Sequence, residues 1–216
     1  MKNWRAESDE RADTGHPDKF NAPLFRSLVE QIKTGKRTIV LDLGAARTQT
    51  IALFSQDSCR LDIADITDGL DSLNALPERG ALQASAEALL PRRNSEPTDV
   101  VFCWDILNYL ERPALRALMT CIGTRARRGT LVHALIVYSQ TQMPAHPGSY
   151  VPQDDFSLLN VAPYAHARPA PRYSVEDLGQ CLPDFSIVRA VLLSNGMQEF
   201  LFQYKDQVAD THARWY

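Results

Sequence analysis

No run of about 18 consecutive apolar residues occurs anywhere in the chain, which argues against a membrane-spanning helix. The opening residues, Met1 to Glu7, lack the apolar core of an export signal, so a soluble cytoplasmic protein is expected. Cysteine is scarce and unpaired in sequence: Cys59, Cys103, Cys121 and Cys181 lie far apart in apolar stretches, with no C-x-x-C pair. That pattern points to buried free thiols of a reducing compartment. Charge is nearly balanced, 23 basic against 26 acidic residues, so the net charge of −3 gives no global electrostatic reason to expect nucleic acid. Internal repeats are absent as well. The 216 residues, 44% of them hydrophobic, are enough for one sizeable core, and one domain is expected.

The chain is organised around the stretch Thr38 to Thr48. A run of β-branched and aliphatic residues, Ile39-Val40-Leu41, ends in Asp42, and Gly44 and small residues follow before a helix can open. This reads as a buried strand, a tight turn and a helix N-terminus. Backbone N–H groups point outward at such a junction, and a glycine lets a ligand approach the main chain. Its plain alternative is an ordinary turn of any α/β protein.

Around this stretch the periodicities alternate. Residues 1–20 are polar and form an arm anchored only by Trp4 and Phe20. From Asn21, a capping candidate, Pro23 opens a helix with Leu24, Phe25, Leu28, Val29 and Ile32 on one face, ended by Gly35. Cys59 to Ile66 alternates as a second strand with Asp62 and Asp65 near its end. Between 67 and 98 only the Ala/Leu-rich run 81–90 shows a clear period, that of a helix, and no strand is legible. Asp99 to Asp105 is a buried strand ending in an acid, and Pro113 opens a helix with Leu115, Leu118, Met119 and Ile122 inward. Arg125, Arg127 and Arg128 are read as cations closing that helix. Thr130 to Tyr138 is another apolar strand. Residues 139–172, with six prolines, form a long loop or lid. Ser174 caps a last helix, and Asn195-Gly196 joins two strand-like runs as a hairpin. Residues 205–216 read as a polar tail. Strands alternating with helices imply an α/β fold, a doubly wound, Rossmann-like, mostly parallel sheet ending in an antiparallel β-hairpin.

The succession Leu41-Asp42-Leu43-Gly44, the acid-ended second strand, Asp99 to Leu107, Gly129 to Tyr138 and the terminal hairpin resembles the class I S-adenosylmethionine-dependent methyltransferases, across residues 21–204. The resemblance implies S-adenosylmethionine as cofactor and a methyl acceptor, a small molecule or another unidentified one. It places Asp42, Gly44 and Ala46 in the first cofactor motif and Asp62 or Asp65 on the ribose hydroxyls. Asp105, Asn108 and Tyr109 fall where residues line the methyl-transfer site. Two departures stand out. Ala46 and Thr48 occupy places where the family commonly has further glycines, a degenerate form of the motif, and the family's third strand has no counterpart, which leaves adenine recognition unassigned. The two-lysine pattern of the ribose 2′-O-methyltransferases and an Asn-Pro-Pro-Tyr motif are both absent, and the nicotinamide fingerprint fits only at Gly44.

A methyltransferase needs positioning, exclusion of water and sometimes a general base. Asp105 is the candidate base, or else a cap for the turn after it; Tyr109 is a catalytic candidate or pocket wall. Trp104 stacks on a ligand or fills the sheet. His133 reads as a satisfied core histidine, and His146 and His166 in the loop have no acid or cysteine pattern for a metal. Two functions follow: an active methyltransferase, or a catalytically inactive methyltransferase-like domain acting as a protein-binding or scaffolding partner.

Overall fold

The computed structural model describes residues 18–34, 36–55, 58–162 and 166–205. The expected anchor Trp4, Gly35 and the tail from 206 onward lie outside the described residues. In chain order the elements are β1 (Asp18–Phe20), α1 (Pro23–Ile32), β2 (Thr38–Asp42), α2 (Thr48–Phe54), β3 (Cys59–Ile63), α3 (Leu70–Asn74), α4 (Arg79–Leu89) and β4 (Thr98–Phe102). They continue with α5 (Arg112–Gly123), β5 (Ala126–Val137), β6 (Gln142–Pro144), β7 (Tyr150–Pro152), β8 (Leu158–Asn160), β9 (Ala167–Pro169), α6 (Val175–Cys181), β10 (Phe185–Leu192) and β11 (Met197–Tyr204).

Alternation along the strands makes the sheet. Val40 and Val100 point to one face, Leu41 and Val101 to the other, so each strand feeds two cores. The six-stranded sheet runs β10-β11-β5-β4-β2-β3, parallel among β3, β2, β4 and β5 and antiparallel where β11 joins β5 and β10. The buried face of α1, with Phe54 of α2, packs on one side. α3, α4, α5 and α6 cover the other. The sequence expectation of an α/β, mostly parallel, Rossmann-like sheet closed by an antiparallel hairpin therefore holds. No strand occurs between Ile63 and Thr98, so β3 is the sheet's edge. The hairpin turns at Asn195-Gly196, where Gly196 has φ +81.

Two local expectations are corrected. Asn21 does not cap α1: the residue before Pro23 is Ala22, and the Glu199 carboxylate from β11 instead accepts the Leu24 and Phe25 amides at 2.9 and 2.7 Å. Buried His133 of β5 donates or accepts at 2.8 Å on the same carboxylate, which satisfies that edge of its ring within the core. Nor do the arginines close a helix. α5 ends at Gly123, Arg125 reaches Glu87 and the Pro91 carbonyl, and Arg127 pairs with Asp99 from an irregular start of β5 that needs Gly129 at φ +88.

The long 139–172 segment is built from short strands. β7 and β8 pair with β1 into a three-stranded sheet, and β6 pairs with β9. Asp18–Phe20 thus joins this segment, and Phe20 is buried against Tyr150. Cys103, Cys121 and Cys181 are buried free thiols and Cys59 is half-buried. Among the described residues no helix is long and apolar enough to cross a membrane.

Candidate functional site at the strand ends

The carboxyl ends of β2 and β4 lie side by side, because the two strands pair in parallel with Asp42 opposite Phe102. Asp42 is 1% exposed. Its Oδ1 accepts the Gly44 amide at 2.9 Å and the Trp104 indole Nε1–H at 2.6 Å. Trp104, just beyond β4, holds a left-handed backbone with φ 49, a conformation that costs a bulky residue about 1–3 kcal/mol. That backbone folds the indole back across the sheet end. A Cβ on Gly44 would stand 2.7 Å from Trp104 Cδ1, so the open face of Gly44 is already in contact with the ring.

The segment after β5 adds a second ring. Tyr150 of β7 stacks on Trp104 with centroids 5.7 Å apart and an interplanar angle of 16°, and Phe102 stacks on the same indole at 5.4 Å and 21°. Gly148 allows this approach, since a Cβ there would lie 2.6 Å from the Tyr150 ring. The same segment engages the second strand-end acid. Asp105 accepts the Gly148 amide at 2.9 and 3.1 Å through its two oxygens, and the Tyr150 hydroxyl donates to it. Its carboxylate makes no cap to the 3-10 turn that follows, contrary to that alternative.

Both acids are shifted by burial. Asp42 is pushed up to about 6 by desolvation and, to a smaller degree, by the charge of Asp65, against the opposing pull of the Trp104 and Gly44 donors. Asp105 is likewise raised to about 6 by burial, opposed by the Gly148 amide and the Tyr150 hydroxyl. Burial and the neighbouring Asp105 push the Tyr150 phenol well up.

Of the residues read from sequence, Asp42, Gly44, Trp104 and Asp105 come together at this point. Tyr109 is buried in the 3-10 turn and its hydroxyl donates toward the Pro144 and His146 carbonyls, 3.1 and 2.7 Å away, which ties the turn to the segment after β5. Asn108 is a brace: its Nδ2 donates to the Asp105 and Leu135 carbonyls and its Oδ1 accepts the Val137 amide. Asp65 follows β3 as an exposed residue whose charge reaches Asp42. Asp62 stands apart, back in β3, bonded to Arg60 at 3.0 Å and Asn94 at 3.2 Å. Ala46 is exposed. Among the described residues no group of three or more His, Cys, Asp or Glu side chains could hold a metal. Sequence reasoning missed Tyr150; its signal was a glycine two residues before an aromatic within the proline-rich segment.

No protein-family profile matches the sequence, and no curated protein matches it. Among solved structures, an S-adenosylmethionine-dependent methyltransferase from Clostridium acetobutylicum aligns with a TM-score of 0.50 at 14% identity, covering 83% of this chain and 90% of that one. The magnesium protoporphyrin IX methyltransferase of Synechocystis with bound S-adenosylmethionine gives a TM-score of 0.47 at 14% identity, over 85% of this chain and 79% of that one. The N-methyltransferase NodS from Bradyrhizobium japonicum gives 0.46 at 14% identity, over 86% and 99%. The sheet order and the likeness to the Clostridium enzyme give this chain the fold of the class I S-adenosylmethionine-dependent methyltransferases.

Proposed function

We propose that the chain is a catalytically inactive methyltransferase-like domain that serves as a protein-binding or scaffolding module, its cofactor crevice closed by its own side chains. One observation carries the reading: the Trp104 indole lies on Gly44 and holds Asp42 by its N–H, so the two residues that the family resemblance assigns to the cofactor are engaged within the protein. A ligand entering at Gly44 would have to displace a ring that is 4% exposed and stacked with both Phe102 and Tyr150. Trp104 belongs to the sheet end rather than to the lid, so lid movement alone does not clear the glycine. The residues as they stand do not fit a nucleoside cofactor at this turn.

The second reading is an active methyltransferase using S-adenosylmethionine on an unidentified acceptor. Asp42, Gly44 and exposed Asp65 at the motif's positions favour it, with Asp105 and Tyr109 as the groups nearest the transfer site. It requires the indole to leave Gly44. Calorimetric titration with S-adenosylmethionine and S-adenosylhomocysteine separates the two. No saturable heat and no thermal stabilisation at millimolar ligand are expected. Saturable micromolar binding that disappears in Asp42→Ala would overturn the inactive reading and restore the enzyme.

A further inference from the structure

A surface cavity of about 410 Å³ lies between α4, α5 and α6, within the helical layer rather than at the strand ends. Its floor is apolar: Leu82, Ala117 and Cys181 are buried side chains, one from each helix, and Pro77 and Pro113 wall it.

The rim is cationic. Arg79, Arg112 and Arg116 all line the cavity, and no carboxylate side chain is among its lining residues. Among the described residues only Arg112 of these three meets a carboxylate, that of Asp177 at 2.7 Å. Arg116 directs Nε and Nη2 to the Gln180 carbonyl at 3.2 and 2.6 Å, a neutral acceptor that fixes the guanidinium but leaves its charge. Arg79 has no ion pair or hydrogen bond among the described residues. An apolar floor beneath two guanidiniums that have no carboxylate partner among the described residues matches the two ends of one kind of molecule. Guanidinium groups prefer carboxylates, which they can engage through paired N–H donors, and a hydrocarbon body removes the floor from water. The volume is in the range of small-ligand sites, roughly 300–1,000 Å³.

We propose that this groove binds a small amphipathic carboxylate, an aliphatic organic acid whose carboxylate sits on Arg79 and Arg116 and whose chain covers Leu82 and Ala117. The site is separate from the strand-end crevice, so it holds whether or not S-adenosylmethionine binds there.

The test is an amide-resolved NMR titration of the full chain with octanoate, alongside octan-1-ol, octylammonium and an acetylated Leu-Glu-rich peptide. Octanoate is expected to give saturating shifts at the Leu82, Ala117 and Thr120 amides in about the millimolar range, as suits so small a ligand. Octan-1-ol should bind about tenfold more weakly and octylammonium not at all. Arg79→Gln, which removes a side chain with no structural partner among the described residues, should weaken octanoate about tenfold with the rest of the spectrum unchanged. Arg116→Gln should do the same. Failure of octanoate to saturate, or equal binding of octylammonium, would overturn the proposal. Saturation by the peptide alone would also overturn it and assign the groove to a protein segment.

Discussion

Replacing Trp104 by glycine should excavate the crevice and can be sized from the structure. The indole is 4% exposed, and loss of a buried aromatic of this kind, with the cavity it leaves, costs about 3–5 kcal/mol. Its stacks on Tyr150 and Phe102 add about 1 kcal/mol beyond area. Glycine relaxes the left-handed φ of 49, which returns about 1 kcal/mol. The net expectation is a loss of about 4 kcal/mol, read by urea denaturation followed by circular dichroism. Since the hole has the shape of the lost ring and keeps the Asp42 acceptor, free indole should refill it. At about 100 times its dissociation constant, indole should return about 2.7 kcal/mol to the variant and nothing to the wild type. A loss below about 1 kcal/mol, or a full loss that indole leaves untouched, would refute the placement of the ring on Gly44. If Trp104→Gly fails to fold, Trp104→Phe keeps part of the stack but removes the N–H donor, and should lose about 1–3 kcal/mol by the same assay.

Asp42 and Asp105, lifted from 3.8 to about 6, bind a proton more tightly folded than unfolded. Each therefore contributes about 3 kcal/mol that is fully present below pH about 4 and lost as pH rises through about 6. Urea midpoints between pH 4 and 7 should fall, and the fall should shrink in Asp105→Asn; a flat or rising profile in the wild type would refute the burial of these acids. Asp177, held at about 2 by the Ser174 amide and Arg112, changes charge only below this window. Glu199→Ala strands the Leu24 and Phe25 amides and the His133 ring and should cost about 3–5 kcal/mol in thermal or chemical denaturation, with Glu199→Gln costing less. A loss under about 1 kcal/mol in Glu199→Ala would show that the carboxylate is not the helix cap.

What the sequence made legible was local. The spacing of Leu24, Phe25, Leu28, Val29 and Ile32 matches the buried face of α1, and the aliphatic runs at Val40-Leu41 and Val100-Val101 are the central strands. Asn195-Gly196 marks the hairpin, and the lack of a strand signal between 67 and 98 corresponds to a sheet that ends at β3. Long-range geometry was not legible. That Trp104 turns back over Gly44 depends on one left-handed φ and on Tyr150, 46 positions onward, neither of which has a periodic signature. Asn21 reads as a cap by residue type, yet a carboxylate arriving from β11 takes the amides; a local propensity yields to a charged acceptor in the core. The arginines after α5 read as a helix end because clustered cations suit one, whereas the structure uses them to clamp α4 and β4 through Glu87 and Asp99.

The Glu199 clasp also sets an order of events for a growing polypeptide. Its bonds to Leu24 and Phe25 span 175 and 174 positions, so the amino end of α1 stays uncapped until β11 has been synthesised and has paired with β5. During translation α1, the first helix of the described residues, waits for β11, their last strand. Closure over so long a contour loses chain entropy before any contact rewards it, which slows this step relative to the local formation of α1.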